Sequence, residues 1–395
     1  MLSDEQIEQL LYKYTSRQDE FNMAVIRLIA ARLANLAVFD DVDAFGKIEI
    51  KRKDMDNIQK IYAKYLEDQK KQIKEDFWWI AVVVYLESVK FYENKIDLQM
   101  NKALMSVINQ GTRTAQQNLM KLLSSPVFII RDLKTPAVYK THGLKEAYTS
   151  VVNEALMYSN VSNELRDIAL KRTETQLFDS GIRYKTNDMS DNAHDTTSAN
   201  SAIRMTVLES VKDLINKMQD VMGEQFGANA VELSAHIYPA PDHAPAQGHQ
   251  YALDEVEKMQ SGLDFKDLTG TVYAGFERQI GEWNCRHYFM RIKKGAEPQY
   301  TQEQLNKILE DNERGYTDEK GKHRTLYECT QVQRRYEREI RRAKEQYLYG
   351  KTLNDQIMMH RARNRVGRLV TRYKQFSRAC DIPAKLERIK VKDYK

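Results

Sequence analysis

The 395-residue chain is 42% hydrophobic and 30% charged, a composition that supports two or three folded domains and excludes an intrinsically disordered protein. Its three cysteines have no CxxC spacing, which excludes a disulfide framework and a cysteine-rich zinc ribbon. The longest apolar run, residues 77–86, is about half of the roughly 20 residues that a membrane-spanning helix needs, and the acidic N-terminus does not predict a secretory signal.

Helical patterns dominate the first half of the chain. Ser3 and Gln6 form a capping-box pattern before an amphipathic run, and a more uniformly apolar run follows at residues 21–39. Trp78 and Trp79 lie in an apolar helical pattern, so we expect both side chains to pack between helices. Further helices are predicted at residues 55–79, 102–123, 144–158 and 164–178.

The middle of the chain changes character twice. Residues 185–200 are polar and almost free of large apolar side chains, so they are predicted to form a mobile loop or a linker. A helix is predicted at 201–226, and alternating patterns predict short strands at 231–236 and 286–292. Proline at 239 and 241 and Gln247-Gly248 predict turns between them. We expect the two strands to bring their histidines together.

The C-terminal part is strongly basic. Residues 331–395 contain nineteen Lys and Arg against seven Asp and Glu, a balance of +12, so the rest of the chain is at −7 because the total is +5. Thr301 and Gln304 form a capping box for a short helix, residues 318–322 a turn, and 334–349 a long helix. Such a basic end suggests an acidic partner.

These patterns predict an α+β protein that is predominantly α-helical. We expect a helical N-terminal region at 1–184, a polar linker at 185–200, a small mixed core with short strands at 201–330, and a basic helical region at 331–395.

Histidine and cysteine residues concentrate around the two predicted strands. His236, His243 and His249 lie within fourteen residues, and His287 follows two positions after Cys285. The order Ser-Ala-His236, a proline-bearing turn, His243, Gln247-Gly248 and Trp283-Asn284-Cys285-Arg286-His287 resembles the signature of the phage minor capsid, or head-morphogenesis, proteins. The similarity covers roughly residues 165 to 390, including the helix at Ala202–Leu208 and the basic helix Tyr327–Lys344, and is weaker before residue 165. Two positions depart from the family pattern, which usually has arginine at Ala240 and tryptophan at Ala246.

The resemblance implies a minor structural protein of a tailed-bacteriophage head, made in the host cytoplasm and located inside the capsid or at the portal vertex. It implies a role in head assembly or in genome packaging and delivery. The implied partners are the portal protein and other head proteins, with packaged DNA as a further candidate and no membrane. A virion-associated enzyme that depends on a metal or a cysteine is the alternative.

Three roles stay open for the histidine and cysteine residues around the strands. His236, His243, Cys285 and His287 are the ligand types that zinc takes, and paired strands would bring them to tetrahedral distances. A catalytic Cys285 would share a strand face with His287, but no acidic orienter is apparent nearby in the sequence. The interpretation that we favour is a structural lock, with or without zinc, that joins the two strands. Its supporting residues are Gln247, Gly248, Trp283, Asn284 and Arg286.

A second candidate site is the basic helix. Nucleic-acid contact is predicted for Arg334, Arg335, Arg338, Arg341, Arg342 and Lys344, with an extension through Arg361, Arg363, Arg365, Arg368 and Arg372. Interleaved acids form i to i+4 pairs such as Glu337 with Arg341, which are equally typical of a solvated helix. Both interpretations stay open.

Overall fold

The computed structural model of the chain describes residues 2–35, 52–91, 101–131, 139–143, 182–185, 196–281 and 285–394. Most of these residues are helical and the strands form small antiparallel sheets, so the predicted, predominantly helical α+β architecture is confirmed. The helices are α1 (Asp4–Asn35), α2 (Arg52–Phe91), α3 (Lys102–Leu123), α4 (Ala199–Phe226), α5 (Leu253–Ser261), α6 (Gln302–Arg314), α7 (Leu326–Leu353) and α8 (Gln356–Ala379), followed by a 3-10 helix (Leu386–Ile389).

In the described residues, the strands form four small sheets. They are β1 (Pro126–Arg131), β2 (Tyr139–Gly143), β3 (Ile182–Lys185), β4 (Thr196–Ser198), β5 (Ala230–Leu233), β6 (Gln250–Ala252), β7 (Phe265–Lys266), β8 (Val272–Tyr273), β9 (Phe289–Ile292), β10 (Tyr316–Thr317) and β11 (His323–Arg324). The strand orders are β2-β1-β3-β4, β6-β5-β9, β7-β8 and β10-β11.

The two predicted capping boxes mark true helix starts, whereas α2 and α7 begin at Arg52 and Leu326, before the predicted starts at residues 55 and 334. The Ser3 hydroxyl accepts a hydrogen bond from Gln6 N–H at 3.2 Å, and the Gln6 side chain accepts one from Ser3 N–H at 2.8 Å, so the predicted capping box begins α1. The capping box of Thr301 and Gln304 begins α6 in the same way. The apolar run from residue 21 continues α1 to Asn35. Residues 36–39 and the helices predicted at 144–158 and 164–178 lie outside the described residues.

The prediction for the paired tryptophans of α2 is wrong. Trp78 and Trp79 are 46% and 42% exposed, whereas Phe77 and Ile80 are fully buried. Because a helix turns about 100° per residue, Phe77 and Ile80 face the core side of α2, and both indoles lie on the outer side. None of the helices in the described ranges has the length and apolar character needed to cross a membrane.

The predicted linker is flanked by paired strands. Residues 186–195 lie outside the described residues, but Lys185 pairs with Thr196 where β3 meets β4 in antiparallel register. The two ends of the polar segment are therefore held in a sheet, which differs from the mobile loop predicted from its composition. Strand pairing uses backbone hydrogen bonds, so polar side chains do not prevent it.

The main hydrophobic core lies between α1, α2, α3 and α4. Tyr14, Phe77 and Leu214 are fully buried in it, and so is Met290 of β9, which is 2% exposed. The helical part and the small sheet thus share one core. The division of the chain at residues 184 and 201 stays a prediction.

Strand β9 is buried on both faces rather than on the single face that its alternation predicts. Met290 packs into the main core, while Phe289 packs into a second core beside Val231 of β5. The outer edge of β9 is covered by α4, since Phe289 N–H donates to the Asn216 side chain at 3.0 Å and Arg291 N–H donates to the Gln219 side chain at 3.4 Å. Helix α4 therefore fixes both the position and the register of β9.

The two basic helices α7 and α8 pack side by side. Asn354 adopts the left-handed conformation that ends α7, and the Asp355 side chain caps the first turn of α8 by accepting from Met358 N–H at 2.9 Å. The Tyr373 hydroxyl of α8 donates to the buried Glu337 carboxylate of α7 at 2.9 Å.

Glu8, a buried residue of α1, joins four distant segments. Its carboxylate accepts hydrogen bonds from Arg204 of α4, from Arg286 just before β9 and from Arg388 of the 3-10 helix, and Arg334 of α7 lies 3.6 Å away. Burial alone would raise the pKa of the Glu8 carboxyl, but the surrounding arginines outweigh burial and hold that pKa far below its ordinary value.

Replacing this carboxylate should destabilise the whole fold. Glu8→Gln removes the negative charge that four guanidinium groups share, so we expect the free energy of unfolding at pH 7 to fall by about 3 to 5 kcal/mol in denaturant titrations. The matched control, Glu5→Gln, changes an exposed carboxylate one turn earlier on the same helix and should shift stability by less than about 0.5 kcal/mol.

The stability difference between the wild type and Glu8→Gln should also depend on pH. Because folding lowers the pKa of Glu8 below the ordinary value of 4.5, its contribution is complete above that pH and is lost as the pH falls toward the folded-state pKa. The stability gap between the wild type and Glu8→Gln should therefore narrow below about pH 4.5. A gap that is absent at pH 7, or that widens in acid, would contradict the role given to Glu8.

Candidate functional site

The loop from β5 to β6 folds back over the chain that leads into β9. Proline at 239 and 241 cannot donate to a strand ladder, and the chain turns directly after them, where His243 N–H donates to the Ala240 carbonyl at 3.1 Å. This turn aims the His243 side chain inward, where it is 1% exposed. The proline-bearing turn predicted from the sequence is therefore what positions this histidine.

A second turn returns the loop to the sheet. Gly248 has a φ of +75°, and its N–H donates to the Leu233 carbonyl at 2.8 Å. A Cβ at this position would clash with the Leu305 side chain of α6. The turn predicted at Gln247-Gly248 thus needs glycine for its backbone conformation and for its space.

Three buried side chains meet beneath these turns: His243, Cys285 and His287. Cys285 Sγ lies 3.7 Å from His243 Nδ1 and 3.4 Å from His287 Nδ1, and a ligand atom of each residue lies within 4.8 Å of the others. The structure therefore brings together three of the four predicted ligands. The fourth, His236, lies beside them, with its ring centroid 4.6 Å from that of His287.

The orientation of His243 is fixed from behind. Its Nε2 lies 2.6 Å from the Arg278 carbonyl oxygen, which can only accept, so Nε2 carries the proton and Nδ1 carries the lone pair. The Asp242 carboxylate lies 3.5 Å from the same Nε2 and is itself held by two hydrogen bonds from the Arg278 guanidinium, at 2.8 and 2.7 Å. Sequence reasoning missed both residues. For Asp242, its position next to His243 in the sequence was the available signal; for Arg278 there was none.

Gln247 plays the corresponding role for His287. Its amide nitrogen donates to the His236 carbonyl at 3.2 Å and its Oε1 accepts from His236 N–H at 2.9 Å, which fixes the orientation of the amide. The same Oε1 faces His287 Nε2 at 3.4 Å, so this nitrogen also carries the proton. Both histidines therefore present Nδ1 lone pairs to the sulfur of Cys285.

Burial keeps the three groups uncharged. It lowers the pKa of His243, and it lowers that of His287 well below the ordinary value, with further lowering from His236 and His243 nearby. Burial also raises the pKa of the Cys285 thiol. Neutral imidazole is the form that binds a metal ion, whereas a neutral, buried thiol is a poor nucleophile.

The arrangement resembles a catalytic triad in connectivity but not in accessibility. Cys285, His243 and Asp242 follow one another in contact, and Asp242 is the acidic orienter that the sequence did not reveal. Cys285 is only 3% exposed, however, and reactive cysteines have a low pKa and an accessible sulfur. These properties favour a ligand or a structural thiol over a nucleophile.

The remaining motif residues have separate positions. Arg286 lies between two cluster residues but contacts Glu8 on the opposite side, so the predicted alternation of Cys285 and His287 against Arg286 is present. His249 faces the Asp267 carboxylate at 3.9 Å and does not join the cluster. Positions 283 and 284, the predicted Trp283 and Asn284 of the motif, lie outside the described residues.

At least three of the six predicted nucleic-acid residues on α7 contact partners within the chain that neutralise or hold them. Arg334 faces Glu8, Arg341 pairs with Asp19 at 3.3 Å, and Lys344 donates to the Ile389 carbonyl at 2.6 Å. Arg342 is half-buried, and Arg335 and Arg338 are exposed. A nucleic-acid role for this set stays a prediction.

A family model described as phage minor capsid protein 2 matches residues 2–377 of the chain. The match includes the histidine and cysteine cluster, all of α7 and most of α8. No curated protein sequence and no solved structure shows significant similarity to the chain.

The Gln247 amide should be the main support of this loop. Gln247→Ala removes two hydrogen bonds to the His236 backbone inside a buried site, so we expect a loss of about 1 to 3 kcal/mol in the free energy of unfolding. The His236 amide should also exchange its hydrogen faster. Gln302→Ala, at an exposed position of α6, is the control and should stay within about 0.5 kcal/mol of the wild type. Equal effects from both substitutions would contradict the role of Gln247.

Proposed function

Because the chain belongs to the phage minor capsid protein 2 family, which its match over residues 2–377 establishes, we propose that it assembles at the portal vertex of the phage head and contacts the packaged genome through α8. Family membership makes the chain a structural protein of the phage head and a component of the virion. The position at the portal vertex and the contact with DNA are the additional content of the proposal.

The observation that carries the DNA contact is the composition and exposure of α8. The helix contains seven Lys and Arg and no Asp or Glu, whereas α7 carries seven Lys and Arg interleaved with four Glu. On α7 several of these charges are neutralised within the chain, as Arg341 is by Asp19. A helix surface of one sign attracts a polyanion such as DNA.

The basic side chains of α8 are arranged as a stripe. Arg361, Arg365, Arg368 and Arg372 recur at intervals of four, three and four residues, which places them on one face of the helix over roughly 16 Å. Three of the four are exposed and Arg365 is half-buried. Within the described part of the chain, none of the four forms a side-chain ion pair. We refer to these four residues as the arginine stripe.

The stripe borders the apolar face of α8, and most of it is exposed. Val366, Leu369 and Tyr373 lie roughly 100° around the helix from the stripe and pack against Ile340 of α7. Two grooves run along the stripe. One is lined by Arg361, Asn364 and Arg368, and the other by Arg365, Arg368 and Arg372 together with Leu369 of the same helix and Glu339 of α7. Because the core holds the helix by its apolar side, the arginines can contact a phosphate backbone without any change in the packing of α8.

An enzymatic role has less support from the geometry. Its centre would be Cys285, whose sulfur is buried and whose thiol pKa is raised. A substrate atom would have to reach that sulfur past the loop that Gln247 clamps. A structural protein of the head fits the observed arrangement without such an opening.

Neutralising the arginine stripe should weaken DNA binding. The full-length variant Arg361→Gln, Arg365→Gln, Arg368→Gln, Arg372→Gln should lose about tenfold or more in affinity for duplex DNA near 100 mM salt, and the slope of log affinity against log salt should become shallower by roughly three to four. Fluorescence anisotropy over a salt series measures both quantities.

The control carries the same charge change elsewhere. Lys60, Lys64, Lys70 and Lys74 are exposed residues of α2, and their fourfold change to Gln should leave the affinity within about twofold of the wild type. If both fourfold variants lost affinity equally, attraction would be non-specific, and if neither did, the stripe would be assigned to a protein partner.

The portal position is tested on assembled particles. Chemical cross-linking of purified procapsids and virions, followed by mass spectrometry, should detect this chain and link it to the portal protein. Cross-links confined to the major shell protein would overturn the portal position. Absence of the chain from both kinds of particle would contradict its role in the head.

A further inference from the structure

The cluster of His243, Cys285 and His287 has fewer hydrogen-bond donors than acceptors facing one another. Both Nε2 atoms donate outward, to the Arg278 carbonyl and to Gln247 Oε1, so both Nδ1 atoms carry lone pairs. These lone pairs face Cys285 Sγ at 3.7 and 3.4 Å. A thiol has one proton and can donate it to one of the two nitrogens. The other contact then joins a lone pair to the sulfur with no hydrogen between them.

Such an arrangement is unfavourable for a buried site without a further positive charge. An unsatisfied acceptor that has lost its water costs on the order of 1 to 3 kcal/mol, and here the three atoms point at one another. A cation bound between the three atoms would satisfy all of them together.

The two nitrogen–sulfur separations fit a tetrahedral transition-metal ion. With metal–nitrogen bonds of about 2.0 Å and a metal–sulfur bond of about 2.3 Å at the tetrahedral angle, neighbouring nitrogen and sulfur ligands lie about 3.5 Å apart. The observed separations of 3.7 and 3.4 Å are close to this value. The hydrogen bonds from each Nε2 to a carbonyl oxygen are the outer contacts that metal-bound histidines make, and they fix the ring orientations in advance.

From this geometry we propose that His243, Cys285 and His287 bind a zinc-class divalent ion, with His236 as the fourth ligand. One thiolate and three imidazoles match the preference of Zn²⁺, whereas Ca²⁺ and Mg²⁺ require oxygen ligands. His236 lies next to the cluster, 4.6 Å between ring centroids from His287, and its backbone is fixed there by Gln247. Rotation of its side chain completes the tetrahedron. On binding, the metal takes the place of the Cys285 thiol proton, which leaves to solvent.

The ion would hold together segments that have little apolar contact of their own. His236 and His243 belong to the loop after β5, and Cys285 and His287 precede β9, so the ligands span about fifty residues of chain. The second core between these segments is small, and the loop has two turns but no strand or helix of its own. A metal that binds only the folded arrangement stabilises it in proportion to its affinity and concentration.

The test uses the full-length chain without a histidine tag. Elemental analysis of protein purified without added metal should find about one zinc ion per chain. After removal of zinc by a chelator, the melting temperature should fall, and added Co²⁺ should produce the tetrahedral d–d bands together with a sulfur-to-cobalt charge-transfer band. Failure of the wild type to bind zinc or Co²⁺ at one equivalent would overturn the proposal without any variant.

Matched variants assign the ligands. Cys285→Ser should abolish the charge-transfer band, whereas Cys329→Ser, which changes another buried cysteine, should keep it. His236→Ala should lower Co²⁺ affinity by at least about tenfold but retain the band, and His249→Gln should leave the affinity unchanged. An unchanged band in Cys285→Ser would overturn the site, and an unchanged affinity in His236→Ala would overturn the fourth ligand.

Discussion

The carboxylate of Glu8 is the interaction on which the arrangement of this chain depends. It sits under four arginines from α4, the segment before β9, α7 and the C-terminal 3-10 helix. A single buried carboxylate with several guanidinium partners is directional, since each arginine must approach an oxygen in a restricted geometry. Desolvation offsets much of the Coulomb attraction, so the effect of such a cluster is largely to select one packing of the segments over others.

The same constraint reaches the histidine and cysteine cluster through one residue. Arg286 extends toward Glu8, while Cys285 and His287 on either side of it point toward His243. A slip of one residue in this segment would bury an arginine among the histidines and turn the cysteine toward the arginines. The pairing of β9 with β5, together with the Asn216 and Gln219 side chains on its outer edge, holds the register that keeps both clusters intact.

The basic C-terminal region divides into an inner and an outer part. Arg334 and Arg341 of α7 serve the interior by pairing with acids of α1. The arginine stripe of α8 has no such partners in the described part of the chain, because the helix faces the core with Val366, Leu369 and Tyr373. The net charge of +12 over residues 331–395 therefore has two parts. Some of the basic side chains form ion pairs inside the protein, and others lie on its surface. In a structural protein of the phage head, only the second is available to a partner.

The sequence by itself determined the local structure and the family. Capping boxes at Ser3 and Thr301, the limits of α3, the turn at Gly248 and the alternation around Arg286 follow from interactions within a few residues, which composition and spacing record directly. The tertiary structure alone decided which charges are shared, since Glu8 and Arg388 are 380 positions apart and no local pattern links them. It also decided that Trp78 and Trp79 face outward, that α4 buries the second face of β9, and that Asp242 and the Arg278 carbonyl orient His243. Those outcomes depend on which distant surfaces meet, because the free energy of burying a side chain is set by the neighbours that the fold supplies and not by the residues beside it in the chain.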